Sequence, residues 1–169
     1  RPGLIVGAVI LYHFFHEQAY YYHLFNIILF SVISVLFFFL VELLVKDYVI
    51  ALLSAILFCV HPINSTPVNN ITMFSVLFNL LFCQLSMIFF VLFIQKKEKS
   101  DLYFLSIIFF VIGFLFHEIA ITLLIPIILY LLLIDNGSFR KIVKLCAPYL
   151  MLVFFYLVFN VQVYTDTSI

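Results

Sequence analysis

Charge is what this chain has least of: across 169 residues, Asp, Glu, Lys and Arg make up 9%, against about 25% in soluble domains. Tryptophan is absent and there are only four glycines, too few for a Gly-rich loop that cradles phosphates. No P-loop, nucleophile elbow or Cys-x-x-Cys pair occurs. The three cysteines, Cys59, Cys83 and Cys146, sit singly in apolar runs with no metal-ligand spacing, and read as buried apolar side chains. Net charge is zero and the few bases are not interleaved with aromatics, which excludes nucleic acid as a partner. The chain opens with Arg1-Pro2 and no basic-apolar-small leader, so we expect a processed chain or a piece of a longer protein.

What is there instead is hydrocarbon. Hydrophobic residues make up 67% and mean hydropathy is +1.30, more apolar surface than a water-soluble chain of this length could bury. We therefore expect an all-α, polytopic membrane protein. Six apolar segments are predicted: Leu24–Val45, Tyr48–Val60, Ile71–Ile94, Leu102–Phe116, Ile119–Ile134 and Leu145–Asn160. Gly3–Tyr12 is apolar but too short to span, and reads as a helix lying in the interface. The expected organisation is an interfacial or exoplasmic segment over 1–23, a transmembrane domain over 24–160 and a polar exoplasmic tail over 161–169.

Assigning loops alternately to two sides sorts the charges. One side receives Lys46, Lys96, Lys97, Lys99, Arg140, Lys141 and Lys144, and the other only Arg1. The first is cytoplasmic by the positive-inside rule. The histidines do the reverse: His13, His16, His23, His61 and His117 all fall on the exoplasmic side, with Glu17, Glu118 and Asp166. Polar specificity is thus expected at the exoplasmic face.

Three stretches there carry candidate chemistry. His117-Glu118 separates two short apolar runs, so the tip is expected below the membrane surface, where ionisable residues mark function. A hydrated tight turn is the competing reading. His13, His16 and Glu17 form H-x-x-H-E, which on a helix would put two imidazoles and a carboxylate on one face, a weak metal-site signal. Aromatic-flanked histidines at an interface, beside Tyr20, Tyr21 and Tyr22, explain it as well. The third stretch, His61 to Asn70, is polar yet uncharged and broken by Pro62 and Pro67. It fits a roof over a cavity at the lipid interface, with His61 nearest a substrate phosphate. Asn64 and Asn70 begin glycosylation sequons, but Asn69 or Asn70 is better placed to cap the next helix. Glu42, one turn from Lys46, reads as a snorkelling pair.

Three motifs, in order, resemble one family. "YYYHLFNIILF", "LFCVHPINSTPVNNITMFSVLFNLL" and "FHEIAITLLIPIILYLLL", together with Arg1-Pro2, are similar to segments of class C polytopic glycosyltransferases, closest to the transmembrane, tetratricopeptide-repeat O-mannosyltransferase type. The resemblance implies a fragment of that helical core, a polyprenyl-phosphate-sugar donor, a divalent metal and an exoplasmic or lumenal active site. Carried onto this chain it makes His61, His117, Glu118, His23 and Asn26 the substrate-binding candidates, and names no catalytic residue. The sequence departs from the pattern at Asn64–Pro67, where an acid is usual, at Met73-Phe74, where an Arg is usual, and at His117, where a Lys is usual. Those losses weaken any grip on a lipid phosphate.

The leading expectation is therefore a glycosyltransferase-like membrane core with lipids and a lipid-linked sugar as partners, in the endoplasmic reticulum or a bacterial inner membrane. The alternatives are a non-catalytic subunit packed on other membrane subunits, as in a mitochondrial inner membrane, and a small proton-coupled transporter using Glu118 and His117.

Overall fold

A computed structural model describes residues 1–96, 99–135 and 137–166, with side chains through 156 and at 158. Lys97 and the last residues of the predicted tail lie outside them. Among the described residues the structure is helical, with no strand: α1 (Pro2–Phe15), α2 (Ala19–Val45), α3 (Tyr48–Val60), α4 (Ser65–Asn69), α5 (Phe74–Gln95), α6 (Ser100–Phe116), α7 (Leu124–Leu133) and α8 (Phe139–Asp166). Short 3₁₀ segments occupy Pro62–Asn64, Ile71–Met73 and Glu118–Leu123. The chain divides into two compact units, residues 1–120 and 121–169.

By length and composition, two described helices can cross a membrane: Ala19–Val45 and Ile71–Gln95. Tyr48–Val60 with Pro62–Asn69 makes a third candidate, bent by 53° at His61. Pro2–Phe15, Ser100–Phe116 and Glu118–Leu133 are apolar but shorter. Each apolar run thus becomes helix, though α2 begins five residues before the predicted Leu24, because the Tyr20–His23 stretch continues the helix instead of preceding it.

In the first unit α2 and α3 form a tight hairpin. Lys46 takes a left-handed φ of 58° and its amide closes on the Glu42 carbonyl at 2.8 Å. Asp47 then caps α3, its Oδ1 accepting the amides of Val49 and Ile50 at 2.9 and 3.0 Å. Helix α5 packs between α2 and α6 around Leu29, Ile33 and Leu77, flanked by Phe25, Phe30, Phe58 and Phe78. With no tryptophan, phenyl rings fill the space: Phe78 stacks on Phe116 at 4.8 Å, and Phe82 and Phe89 each stack on Phe109.

Two features lock α5 to α6 and α1 to α6. Ser86 Oγ donates to the Ser106 carbonyl at 2.8 Å and Ser106 Oγ donates back to the Ser86 carbonyl at 2.7 Å, both fully buried. At Gly3 the backbones touch, for a Cβ there would lie 2.8 Å from the Leu115 carbonyl oxygen. Helix α1, expected over Gly3–Tyr12, is therefore seated on the last turn of α6.

In the second unit α7 packs along α8. The end of α7 is closed by the Gly137 amide on the Leu131 carbonyl at 2.8 Å, and Lys141 pairs with Asp135 at 3.2 Å. Pro148 lies inside α8, which continues through Asp166.

Candidate functional site

The two ends of the first unit differ chemically. At one end Gln95 Nε2 donates to the Leu43 carbonyl at 3.1 Å, beside Glu42, Lys46 and Tyr48. At the other lie the starts of α2 and α5, the end of α6 and the His61–Asn70 loop, with His23, His61 and His117. The sorting of Lys46 and Lys96 away from these histidines is thus a property of the fold.

The uncharged loop is a sequence of small caps. His61 ends α3 because Pro62 follows, and a residue before proline favours the extended region (φ −66°, ψ 126°). Its Nδ1 accepts the Ile63 amide at 3.3 Å. Asn64 Nδ2 donates to the Phe58 carbonyl at 2.6 Å, and Ser65 Oγ to that of Pro62 at 2.7 Å. Asn70 Oδ1 accepts both the Thr72 amide, at 3.0 Å, and the Thr72 hydroxyl, at 2.8 Å, so the second sequon asparagine is a cap, as its position suggests.

Underneath, Asn26 is 1% exposed. Its Nδ2 points at the carbonyls of Asn70 at 3.1 Å and of Pro67 and Val68 at 3.5 Å. A buried amide must find partners, and here the partners are backbone. Above it, His23, Ser65, Thr66, Asn69, Asn70 and Ile71 line an open groove of about 580 Å³.

The second cluster lies where α6 ends. His117 is extended, and its Nδ1 accepts the Ile119 amide at 3.3 Å, repeating the pattern at His61. Asn79, 5% exposed within α5, donates to the Gly113 and His117 carbonyls at 3.0 and 2.9 Å. Glu118 meets Arg1: guanidinium Nη2 lies 2.6 Å from Oε1, with both side chains more than a third exposed. The hydrogen bond from Arg1 is the main force holding the Glu118 carboxyl below the usual range. Burial, and then the charge of Arg1, lower His117, against a smaller opposing pull from Glu118.

The candidates therefore divide. Glu118 and His117 are joined by Arg1, and His23 joins the loop groove. His61 engages its own loop, and Asn26 is turned into the protein beneath that loop. Sequence reasoning missed Asn79, whose only signal is an amide alone in an apolar run, and the groove residues Thr66 and Asn69, which resemble any polar loop.

Helix α1 closes at Phe15 and His16 takes φ 51°, so His16 and Glu17 leave the helical register that would align them with His13. Among the described residues no three His, Cys, Asp or Glu side chains group as a metal site. The divalent metal implied by the resemblance thus finds no ligand set among them.

Neither the curated proteins nor the solved structures include a match to this chain. The family model of the dolichyl-phosphate-mannose-protein mannosyltransferases matches residues 8–164. That span takes in the His-Pro loop, the Asn26 and Asn79 clamps and the His117-Glu118 turn, and so the chain belongs to the dolichyl-phosphate-mannose-protein mannosyltransferase family.

Proposed function

We propose that this chain is the membrane core of a protein that takes mannose from a polyprenyl-phosphate donor, of the dolichyl type, at the exoplasmic or lumenal face. The observation that carries the reading is that the His23 groove, the His61 loop and the Arg1–Glu118 pair, though separate clusters, lie at the same end of the first unit, opposite Lys46. A lipid-linked substrate reaches such an end from within the bilayer. Glu118 holds Arg1 through a charge-assisted hydrogen bond, and the Arg1 guanidinium is the positive charge at this end that a donor phosphate would meet. In His61 and His117 the Nδ1 is engaged by a backbone amide, so Nε2 is the ring nitrogen through which either would meet a substrate.

The test is transfer of radiolabelled mannose from polyprenyl-phosphate mannose by the full-length protein in liposomes. Activity that falls at least tenfold in His61→Ala and in Glu118→Gln, with the fold intact, supports the reading; unchanged turnover in both rejects it.

A second reading, a non-catalytic membrane subunit, is favoured by one observation. Asn26 and Asn79, the two asparagines buried in long apolar helices among the described side chains, bond to backbone carbonyls of the first unit. No transfer by the wild-type protein, with stable co-purification of other membrane subunits, would select it.

A further inference from the structure

We infer that the groove between His23 and residues 65–71 is a subsite for a neutral pyranoside ring, the mannosyl group of the donor rather than its phosphate. The inference rests on the mannosyl-transfer reading and says which part of the donor this groove holds.

The lining decides the class of ligand. His23, Ser65, Thr66, Asn69, Asn70 and Ile71 include no carboxylate, lysine or arginine. A phosphate held here would have no countercharge. A sugar needs the opposite, several uncharged groups able both to donate and to accept, and amides and hydroxyls supply both. The groove, about 580 Å³ and open, has room for a single ring.

The lining also separates by what is already engaged. Asn70 Oδ1 is committed to Thr72 and Ser65 Oγ to the Pro62 carbonyl. The side chains of Thr66, Asn69 and His23 take no part in any hydrogen bond among the described residues, so their polar groups remain for a ligand. They are also held in place. Asn26, buried beneath, fastens the backbone at Pro67, Val68 and Asn70, on both sides of Asn69. Such a floor reduces the ordering cost of binding. The buried Asn26 has no contact with ligand in this arrangement; it is a positioning residue.

Two exposed substitutions, Thr66→Val and Asn69→Ala, test the assignment without touching the buried clamp. The full-length protein in nanodiscs is titrated with methyl α-D-mannopyranoside, read by saturation-transfer NMR, and separately with a sugar-free polyprenyl phosphate. Each variant is expected to weaken mannoside binding by about three- to tenfold, the loss of one neutral hydrogen bond, and to leave polyprenyl-phosphate binding unchanged. In the transfer assay the KM for donor rises with kcat little changed; a rise only in the KM for acceptor would move the pyranoside to the acceptor and overturn the donor assignment. The inference is overturned if wild type binds no mannoside, if the variants bind it as wild type does, or if they lose polyprenyl phosphate equally. It is also overturned if a Ser/Thr-rich peptide, and not the mannoside, loses affinity in the variants. Mannoside binding that responds to the variants in a protein that transfers no mannose would uphold the subsite and reject the enzyme reading alone.

Discussion

Asn26 lies 44 residues before Asn70 in the chain, yet its side-chain amide is 3.1 Å from the Asn70 carbonyl oxygen. This one contact ties the second turn of α2 to the entry of α5 and sets the height of the polar loop between α3 and α5. Replacing Asn26 by Leu removes the donor and leaves backbone carbonyls at 67, 68 and 70 without it. The expected cost is about 1–3 kcal/mol. Hydrogen exchange should accelerate over residues 62–73 while the middle of α5 stays protected; uniform acceleration across the bundle would show a global effect instead.

The Arg1–Glu118 pair predicts a pH response with a defined sign. The lowered Glu118 contributes stability above its unfolded value, and the contribution is lost as pH falls through the lowered one. The lowered His117 acts in the same direction: its contribution is complete above the ordinary 6.5 and is lost on acidification below it. Both side chains of the pair are over a third exposed, so the stability at stake is below about 1 kcal/mol. The sharper readout is titration by NMR. Arg1→Gln should raise the apparent pKa of both His117 and Glu118, and an unmoved His117 would deny the coupling.

Gly3→Ala tests the seat of α1. The added methyl would sit 2.8 Å from a backbone carbonyl oxygen of α6, which cannot turn aside as a side chain would. Separation of α1 from α6 at a cost of about 1–3 kcal/mol is expected. A spin-label distance between α1 and α6 that lengthens in Gly3→Ala would report it.

The reciprocal Ser86–Ser106 bonds should show coupling. Single alanine substitutions at either position are expected to cost about 0.6–1.7 kcal/mol each in the membrane. The double variant should cost less than their sum, because the two hydroxyls also share a contact at 3.1 Å that either substitution removes, while each bond to a backbone carbonyl survives the other's loss. Strict additivity in a double-mutant cycle would mean that the two bonds act independently.

How much of this could be read beforehand follows from the range of each interaction. Helix existence was legible from apolar run length, and the break at His61 from Pro62, since both are local. The role of Asn70 was legible because capping depends on neighbours in sequence. Helix α2 begins before the apolar span at Leu24, because aromatic interfacial residues such as Tyr20 and Tyr21 can belong to helix or loop. Arg1 meeting Glu118 involves partners 117 residues apart, and no period or motif joins them. Asn26 was legible as important but not as buried. From sequence, an amide facing a ligand and an amide facing a carbonyl are the same letter, and only the packing of α2 on α5 separates them.

The break at His61 also bears on the lipid itself. Helix α3 has 13 residues and α6 has 17, so they reach about 20 and 25 Å, against a hydrocarbon layer of about 30 Å. Both stop at the histidine end. A shortfall taken up at that end would draw the bilayer down there, at a fraction of a kcal/mol for each ångström of mismatch. Headgroups drawn into that dimple would stand level with His61 and His117, so the fold would bring a lipid phosphate to the site by bending the membrane down to it.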